Sequence, residues 1–292
     1  MNVLKTAQSI LQVSRPGFWS THLWFYLLPL GTYRLLDAWT FWLGAFYVMF
    51  PLGFLLYGWN DMADFQTDRL NPRKGNLLFG AKLPEDELHK LPLRIALVHV
   101  PFWIVFTLVL GPKFLLWIAA TLLVNACYNW PRFGFKAHPF LDLLNQTGYL
   151  LVFVLSSWVN GVPQLPWPAF VFGALFAMHS HLLGQISDVV PDAAAGRRTT
   201  AVVIGIVKSK LLLAALLWVE AWLCWTYFES PVLDAFLALA GLVFLLDAVA
   251  RGARQVSDTQ LRAVLIAWNV VTVASMYWIW KTGVFVAHAA LP

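Results

Sequence analysis

The sequence predicts an all-α integral membrane protein, a bundle of about nine transmembrane helices, and three observations carry that prediction. The chain is 60% hydrophobic and only 12% charged, with a mean hydropathy of +0.67, whereas about a quarter of the residues in soluble domains are charged. Its apolar residues fall in runs close to the ~20 needed to cross the hydrocarbon. Its cations gather in alternate connections between those runs.

The nine candidate helices cover 18–36, 40–58, 92–110, 113–130, 140–159, 167–186, 209–228, 232–250 and 262–281. They read as helices because a spanning segment must satisfy its own backbone and an open sheet cannot. The short alternating segments of an outer-membrane barrel are absent. Gly111-Pro112 separates the third span from the fourth, and Glu229-Ser230-Pro231 the seventh from the eighth, as tight turns. Asp142 stands near the start of the fifth span, where a carboxylate suits an N-cap. The N-terminus lacks the short apolar region and small-residue cleavage site of a signal peptide, so the first span is expected to be retained. Residues 1–292 read as one transmembrane domain.

Orientation follows from charge. Of the 20 Lys and Arg residues, all but Arg34, Arg94, Lys113 and Lys281 lie at the N-terminus or in the second, fourth, sixth and eighth connections. The chain is therefore expected in the cell (inner) membrane, with a cytoplasmic N-terminus and an exterior C-terminus. Topology and anionic lipid account for the net charge of +5, so no nucleic-acid partner is needed. Cys127 and Cys224 lie in apolar spans and form no disulfide or metal framework.

Two segments on the cytoplasmic side are built alike. The first reads Asp64-x₃-Asp68-x₄-Arg73-Lys74 and the second Asp188-x₃-Asp192-x₄-Arg197-Arg198. Residues four apart share a helix face, so Asn60, Asp64 and Asp68 are expected to form one stripe and Asp188 and Asp192 another. Carboxylates at that spacing repel unless a cation sits between them. Oxygen donors without Cys or His favour Mg²⁺, which binds one or two carboxylates together with substrate phosphates. Arg73, Lys74, Arg197 and Arg198 suit the remaining phosphate oxygens. The pattern points to a metal-bound diphosphate at a membrane face. Pro84-Glu85-Asp86-Glu87-Leu88, in the same long connection as the first segment, reads as the first turn of a short helix and a candidate lid.

The residues around these pairs carry a resemblance. Asn60-Asp61-Met62-Ala63-Asp64-Phe65-Gln66-Thr67-Asp68 resembles the N-D-x-x-D-x-x-x-D motif of the UbiA superfamily of intramembrane prenyltransferases. Asp188 to Asp192, followed by Gly196, Arg197, Arg198, Thr199, Thr200 and Gly205, resembles that superfamily's second aspartate motif. The resemblance implies a helical bundle around a central lipid-accessible cavity, with cytoplasmic cap loops. It implies a prenyl diphosphate donor, a lipophilic acceptor and Mg²⁺. Asn60, Asp64, Asp68, Asp188 and Asp192 become the metal–diphosphate ligands, the four aspartates being catalytic. Asp61 matches the motif but falls off the stripe and takes a lesser role. Where some members carry a further acid before the second motif, this chain has Gly184 and Gln185.

Three further stretches bear on the acceptor. Ser14-Arg15-Pro16-Gly17-Phe18-Trp19 is similar to the S-R-P-x-F-W opening of isoprenoid-directed members. Asn71-Pro72-Arg73-Lys74-Gly75, and the stretch from Tyr128 through Lys136 to Asp142, resemble lycopene-elongase-like members, with Asn129 and Trp130 as departures. The implied acceptor is a carotenoid such as lycopene and the donor dimethylallyl diphosphate; an aromatic quinone precursor is the alternative. Lys136 is expected at the diphosphate, Tyr128 and Tyr149 beside the allylic cation, and Arg15 near the acceptor. Of His179 and His181, two residues apart, one at most can face the site. Asn125 and Asn145 are expected to bond between helices. A transporter would place its charges near the bilayer midplane, not at one face.

Overall fold

The computed structural model describes residues 3–69, 71, 73–131, 133–255 and 257–286. Pro72, the topology cation Arg132 and the expected exterior C-terminus, 287–292, lie outside them. Among the described residues there is no β-strand, and a single bridge pairs Asn76 with Gly80. The helices are α1 Val3–Val13, α2 Trp19–Leu27, α3 Trp39–Met49, α4 Pro51–Ala63, α5 Phe65–Asp68, α6 Glu85–Leu88, α7 Leu91–Leu110 and α8 Lys113–Asn129. They continue with α9 Leu141–Leu144, α10 Leu151–Asn160, α11 Trp167–Ala194, α12 Thr200–Ile204, α13 Ile206–Leu223, α14 Pro231–Arg251 and α15 Asp258–Thr282.

Among the described residues, six helical stretches are long and apolar enough to cross a membrane: Trp39–Ala63, Glu85–Leu110, Trp167–Ala194, Ile206–Phe228, Pro231–Arg251 and Asp258–Thr282. The other three expected spans are helical but fall short of that length. The first is cut by Pro29 and ends at Gly31. The fourth is α8, 17 residues long. The fifth is broken into α9, a 3₁₀ stretch Asn145–Leu150 and α10. That irregular stretch lines a cavity, the setting in which non-helical backbone is tolerated within a membrane.

The outer faces are apolar, as a lipid-facing surface requires. On α7, Leu93, Leu97, Val100, Ile104 and Leu108 form an exposed stripe at helical spacing, while Ile95, His99 and Phe106 turn inward and are buried. Inside, Trp24 stacks on Phe176 with ring centroids 4.6 Å apart, and Phe25 stacks on Phe153 at 5.3 Å. These rings join α2 to α10 and α11.

Two elements depart from expectation. Helix α1 was not anticipated; its Val13 packs with Phe54 and Leu55 of α4. The acidic turn α6 does form, but it opens the third span and is not a lid. Its Glu87 pairs with Lys90 at 2.7 Å and Arg94 at 2.8 Å, and none of its residues reaches the cavity.

Candidate active site

The α4 helix carries Asn60 on a turn that continues the inner face of Tyr57 and Leu56. It ends at Ala63, where Asp64 leaves helical geometry (φ −103°, ψ 7°) before the short α5 carries Asp68. The expected stripe is thus bent at Asp64, although Asp64 N–H still donates to Asn60 O at 2.8 Å and Asp68 N–H to Asp64 O at 2.8 Å. The second aspartate pair stays within α11, which runs through Pro191 to Ala194. The two copies share a sequence pattern and differ in local shape.

Both segments face one cavity of about 400 Å³. Asn60, Asp64, Asp68, Asp188 and Asp192 line it, as do Arg73, Lys74, Lys136, Arg197, Tyr128, Tyr149 and Arg15. Arg198 does not; its side chain is exposed to solvent.

Cations bridge the two acidic segments. Asp64 Oδ1 accepts from Lys136 Nζ and lies 2.6 Å from Nη2 of Arg197, whose Nη1 is 3.4 Å from Asp192. Arg73 Nη2 is 2.8 Å from Asp188 and donates to Ser187 O at 2.6 Å. Lys74 Nζ sits 2.9 Å from both Asp61 and Asp68. The loop that delivers Arg73 and Lys74 is pinned by its own asparagines. Asn71 Oδ1 accepts from Arg73 N–H at 3.0 Å, and Asn76 Oδ1 from the N–H groups of Leu78 and Phe79.

Burial and charge set the ionisation of the loop residues. Burial works to raise the Asp64 carboxyl, but Lys136 and then Arg197 outweigh it and hold it below the usual carboxylate range. At Asp68 burial wins over Lys74, and the carboxyl is raised. Burial likewise pulls the Lys136 ammonium below the usual lysine range, against the attraction of Asp64.

Asp61 falls off the stripe and does not line the cavity, but it gathers two cations. It is buried, and Oδ1 holds Arg15 at 2.8 Å as well as Lys74. Arg15 adopts a left-handed backbone (φ 50°) that turns the chain between α1 and α2, and its guanidinium lies 4.5 Å from the centre of the Tyr57 ring. Asp142 does not face the cavity. It is fully buried and accepts from Thr200 N–H at 2.7 Å, from the Thr200 hydroxyl and from Gln185 at 2.6 Å, so it fastens the start of α12 to α11. Asn125 bonds within its own helix, accepting from Asn129 at 2.9 Å, and not between helices. His181 faces the cavity with Nε2 3.2 Å from the Tyr128 hydroxyl, while His179 is buried against Glu220 at 2.6 Å. Tyr57, Asn71 and Asn129 were not anticipated as site residues. Tyr57 and Asn129 carried a usable signal, standing one turn from Asn60 and beside Tyr128.

Among the described residues no three His, Cys, Asp or Glu side chains converge closely enough to hold a metal ion as they stand. The donor set nevertheless fits Mg²⁺: five oxygen-bearing side chains from α4, the α4–α5 junction, α5 and α11 ring one cavity, and Asp61 Oδ2 is buried without a hydrogen-bond partner beside them.

Residues 18–271 match the UbiA prenyltransferase family. A lycopene elongase/hydratase of Corynebacterium glutamicum is 29% identical over 249 residues, covering 83% of this chain and 85% of that protein. A UbiA homolog from Archaeoglobus fulgidus bound to GPP and Mg²⁺ aligns with a TM-score of 0.67 at 17% identity, over 93% of this chain and 99% of that one. The same homolog bound to DMAPP and Mg²⁺ aligns with a TM-score of 0.67 at 18% identity. The chain belongs to the UbiA prenyltransferase family and is a prenyltransferase.

Proposed function

We propose that this enzyme transfers a dimethylallyl group from its diphosphate to a carotenoid acceptor such as lycopene, in a Mg²⁺-dependent reaction that passes through an allylic carbocation. The observation that supports it most is the meeting of both acidic segments at one end of a cavity whose remaining walls include Phe25, Leu52, Leu56, Trp117, Phe176 and Leu265. One end is built for a diphosphate and the other for hydrocarbon.

Asn60, Asp64, Asp68, Asp188 and Asp192 would hold Mg²⁺, which when bound supplies Lewis-acid neutralisation of the diphosphate. Arg73, Lys74, Lys136 and Arg197 bind the remaining phosphate oxygens and stabilise the charge that develops as the C–O bond breaks. Tyr128 and Tyr149, both on the cavity wall, would stabilise the allylic cation through their rings. The apolar walls keep bulk water from it. Arg15 fixes Asp61 and closes the cavity beside Tyr57. Arg198, exposed on the same loop as Arg197, would meet the diphosphate only by moving inward.

The carotenoid acceptor is favoured by the relatives described above and by the Ser14–Trp19 and Asn71–Gly75 stretches. We read the chain as nine spans in the cell membrane, the three short segments completing the six long helices, with the N-terminus and the acidic loops cytoplasmic.

Membranes containing the protein, given labelled dimethylallyl diphosphate and Mg²⁺ with lycopene or a quinone precursor, test this reading. Label on lycopene that EDTA abolishes is the expected result. Label on the aromatic compound moves the enzyme to another acceptor class. Transfer that ignores EDTA overturns the metal site.

A further inference from the structure

His22, on α2, is an ionisable side chain that the function proposed above does not use. It is 1% exposed and lines the cavity in company with Phe25, Leu52 and Leu56. Ionisable groups within membrane spans are costly and mostly serve a function with an identifiable partner. Here the partners are two tyrosines that line the same cavity, Tyr57 and Tyr149.

Both ring nitrogens of His22 are engaged. Nδ1 lies 3.0 Å from Val48 O of α3, and Nε2 lies 3.2 Å from the Tyr57 hydroxyl of α4. The Tyr57 hydroxyl is in turn 3.2 Å from that of Tyr149, in the 3₁₀ stretch. These partners assign a direction to the row. A carbonyl oxygen only accepts, so Nδ1 carries the hydrogen of the neutral imidazole and Nε2 accepts. Tyr57 therefore donates to Nε2. A phenol has one hydrogen, so Tyr57 has none left for Tyr149, and Tyr149 donates to it. One backbone carbonyl thus orders Tyr149, Tyr57 and His22 as donor to acceptor, and leaves a lone pair on the Tyr149 oxygen. The rings are held by packing. The His22 and Tyr57 planes are 9° apart with centroids 5.8 Å apart, and the His22 and Tyr149 centroids are 5.6 Å apart.

We propose that this row is a proton relay that ends prenyl transfer: Tyr149 takes a proton from the acceptor cation, and Tyr57 passes one on to His22. The inference rests on transfer to a polyene as read above. The donor C–O bond breaks and diphosphate leaves with the electron pair. A π pair of the terminal acceptor double bond forms the new C–C bond and leaves a carbocation on the acceptor. A C–H bond beside that cation then breaks, and its electron pair becomes the new C=C bond. The proton bonds to the Tyr149 oxygen, the original Tyr149 hydrogen moves to Tyr57, and that of Tyr57 moves to Nε2. Both phenols are neutral again, and His22 is an imidazolium whose Nδ1–H still donates to Val48 O. The positive charge has moved from carbon to nitrogen, so the net charge of the cavity is unchanged. No oxidant or reductant is required. After the product leaves, the proton returns along the same three side chains to water entering the emptied cavity. Tyr149 meets the substrate, whereas Tyr57 and His22 act through it.

The test supplies the full-length protein in membranes with dimethylallyl diphosphate, Mg²⁺ and lycopene, either unlabelled or deuterated on the end-group carbons that flank the cation. Product mass and turnover are read together. The wild-type product is expected to lose one deuterium for each prenyl group added, with little isotope effect, because the relay makes proton loss fast. Tyr149→Phe and Tyr57→Phe keep the rings and remove one hydroxyl each. His22→Gln offers a donor to Val48 O and an acceptor to Tyr57 but no base. Each variant is expected to lower turnover by about 10²-fold and to raise the isotope effect, since C–H cleavage becomes rate-limiting. A fall in turnover with the isotope effect unchanged marks a structural role and overturns the proposal. So does wild-type turnover in Tyr149→Phe and His22→Gln, or a wild-type product that keeps all its deuterium. A wild-type enzyme that puts no prenyl group on the polyene overturns the acceptor reading, and this proposal with it.

Discussion

The Nη2 atom of Arg197 lies 2.6 Å from Oδ1 of Asp64, so the cation of the second acidic segment is held by a carboxylate of the first. Lys136, from the connection between them in sequence, donates to the same oxygen. One carboxylate thus organises three parts of the chain around the site. Asp64→Asn is expected to lower kcat by about 10²–10³-fold, the range seen when a buried electrostatic contributor to a transition state is removed. Arg197→Met should cost less. If the two act together, the double variant loses little more than Asp64→Asn alone, and a double-mutant cycle of kcat/KM for the donor measures that coupling.

Asp61 pairs with Arg15 and Lys74, so on the function proposed above it acts through them and not on the diphosphate itself. Asp61→Asn keeps the shape and removes the charge that holds both cations in place. The expected effect is a rise of about tenfold in KM for the prenyl diphosphate, with kcat altered less. Steady-state kinetics with varied donor separates the two parameters. An equal fall in kcat and kcat/KM would place Asp61 in direct contact with the reacting groups.

Oxygen donors without sulfur or imidazole should select a hard cation. Activity is expected to vanish on EDTA treatment and return with Mg²⁺, with Zn²⁺ a poor substitute. Titration of each metal into chelated membranes gives the answer. Recovery with Zn²⁺ as full as with Mg²⁺ would point to a ligand outside the aspartate set.

Asp142 is fully buried and holds the Thr200 N–H, the Thr200 hydroxyl and Gln185. Asp142→Ala leaves those donors buried without an acceptor, at a cost of about 1–3 kcal/mol for each such group. The half-life of activity on heating in detergent is expected to fall well below the wild type. Under conditions where the variant stays folded, its KM for donor should be close to normal, because Asp142 does not line the cavity.

Gly148 lets the 3₁₀ stretch approach α8 so closely that an added Cβ would meet Val124 Cγ1 inside contact distance. Gly148→Ala is expected to destabilise by about 1–3 kcal/mol through overpacking. Val124→Ala added to it should restore most of the loss. Thermal unfolding in detergent of the single and double variants checks both statements.

Much of the lining of the candidate site was legible because its signal is local. Asn60, Asp64, Asp68, Asp188 and Asp192 are acids and an amide at helical spacing beside apolar runs, and all five line one cavity. What was not legible depended on which partner each side chain meets. Asp61 was given a lesser role off the stripe, and its pairing with Arg15 and Lys74, which come to it from other elements, could not be read from the segment. The acidic turn of α6 read as a lid, whereas Lys90 and Arg94, three and seven residues beyond Glu87, hold it at the start of α7. Arg197 and Arg198 are neighbours in sequence, and only the course of the chain after α11 turns one inward and leaves the other exposed.

By itself the sequence determined the helical membrane class, the long apolar helices, the two acidic segments and the sign of the charges beside them. Hydropathy, helical period and charge are properties of a segment alone, so they survive without knowledge of its neighbours. Tertiary structure alone decided which carboxylate meets which cation, that the fifth span breaks into 3₁₀ backbone to form a cavity wall, and that Asn125 keeps a free amide in an apolar chamber. Each of those is a relation between elements far apart in the chain, and only the packing of the bundle sets the distances that make it.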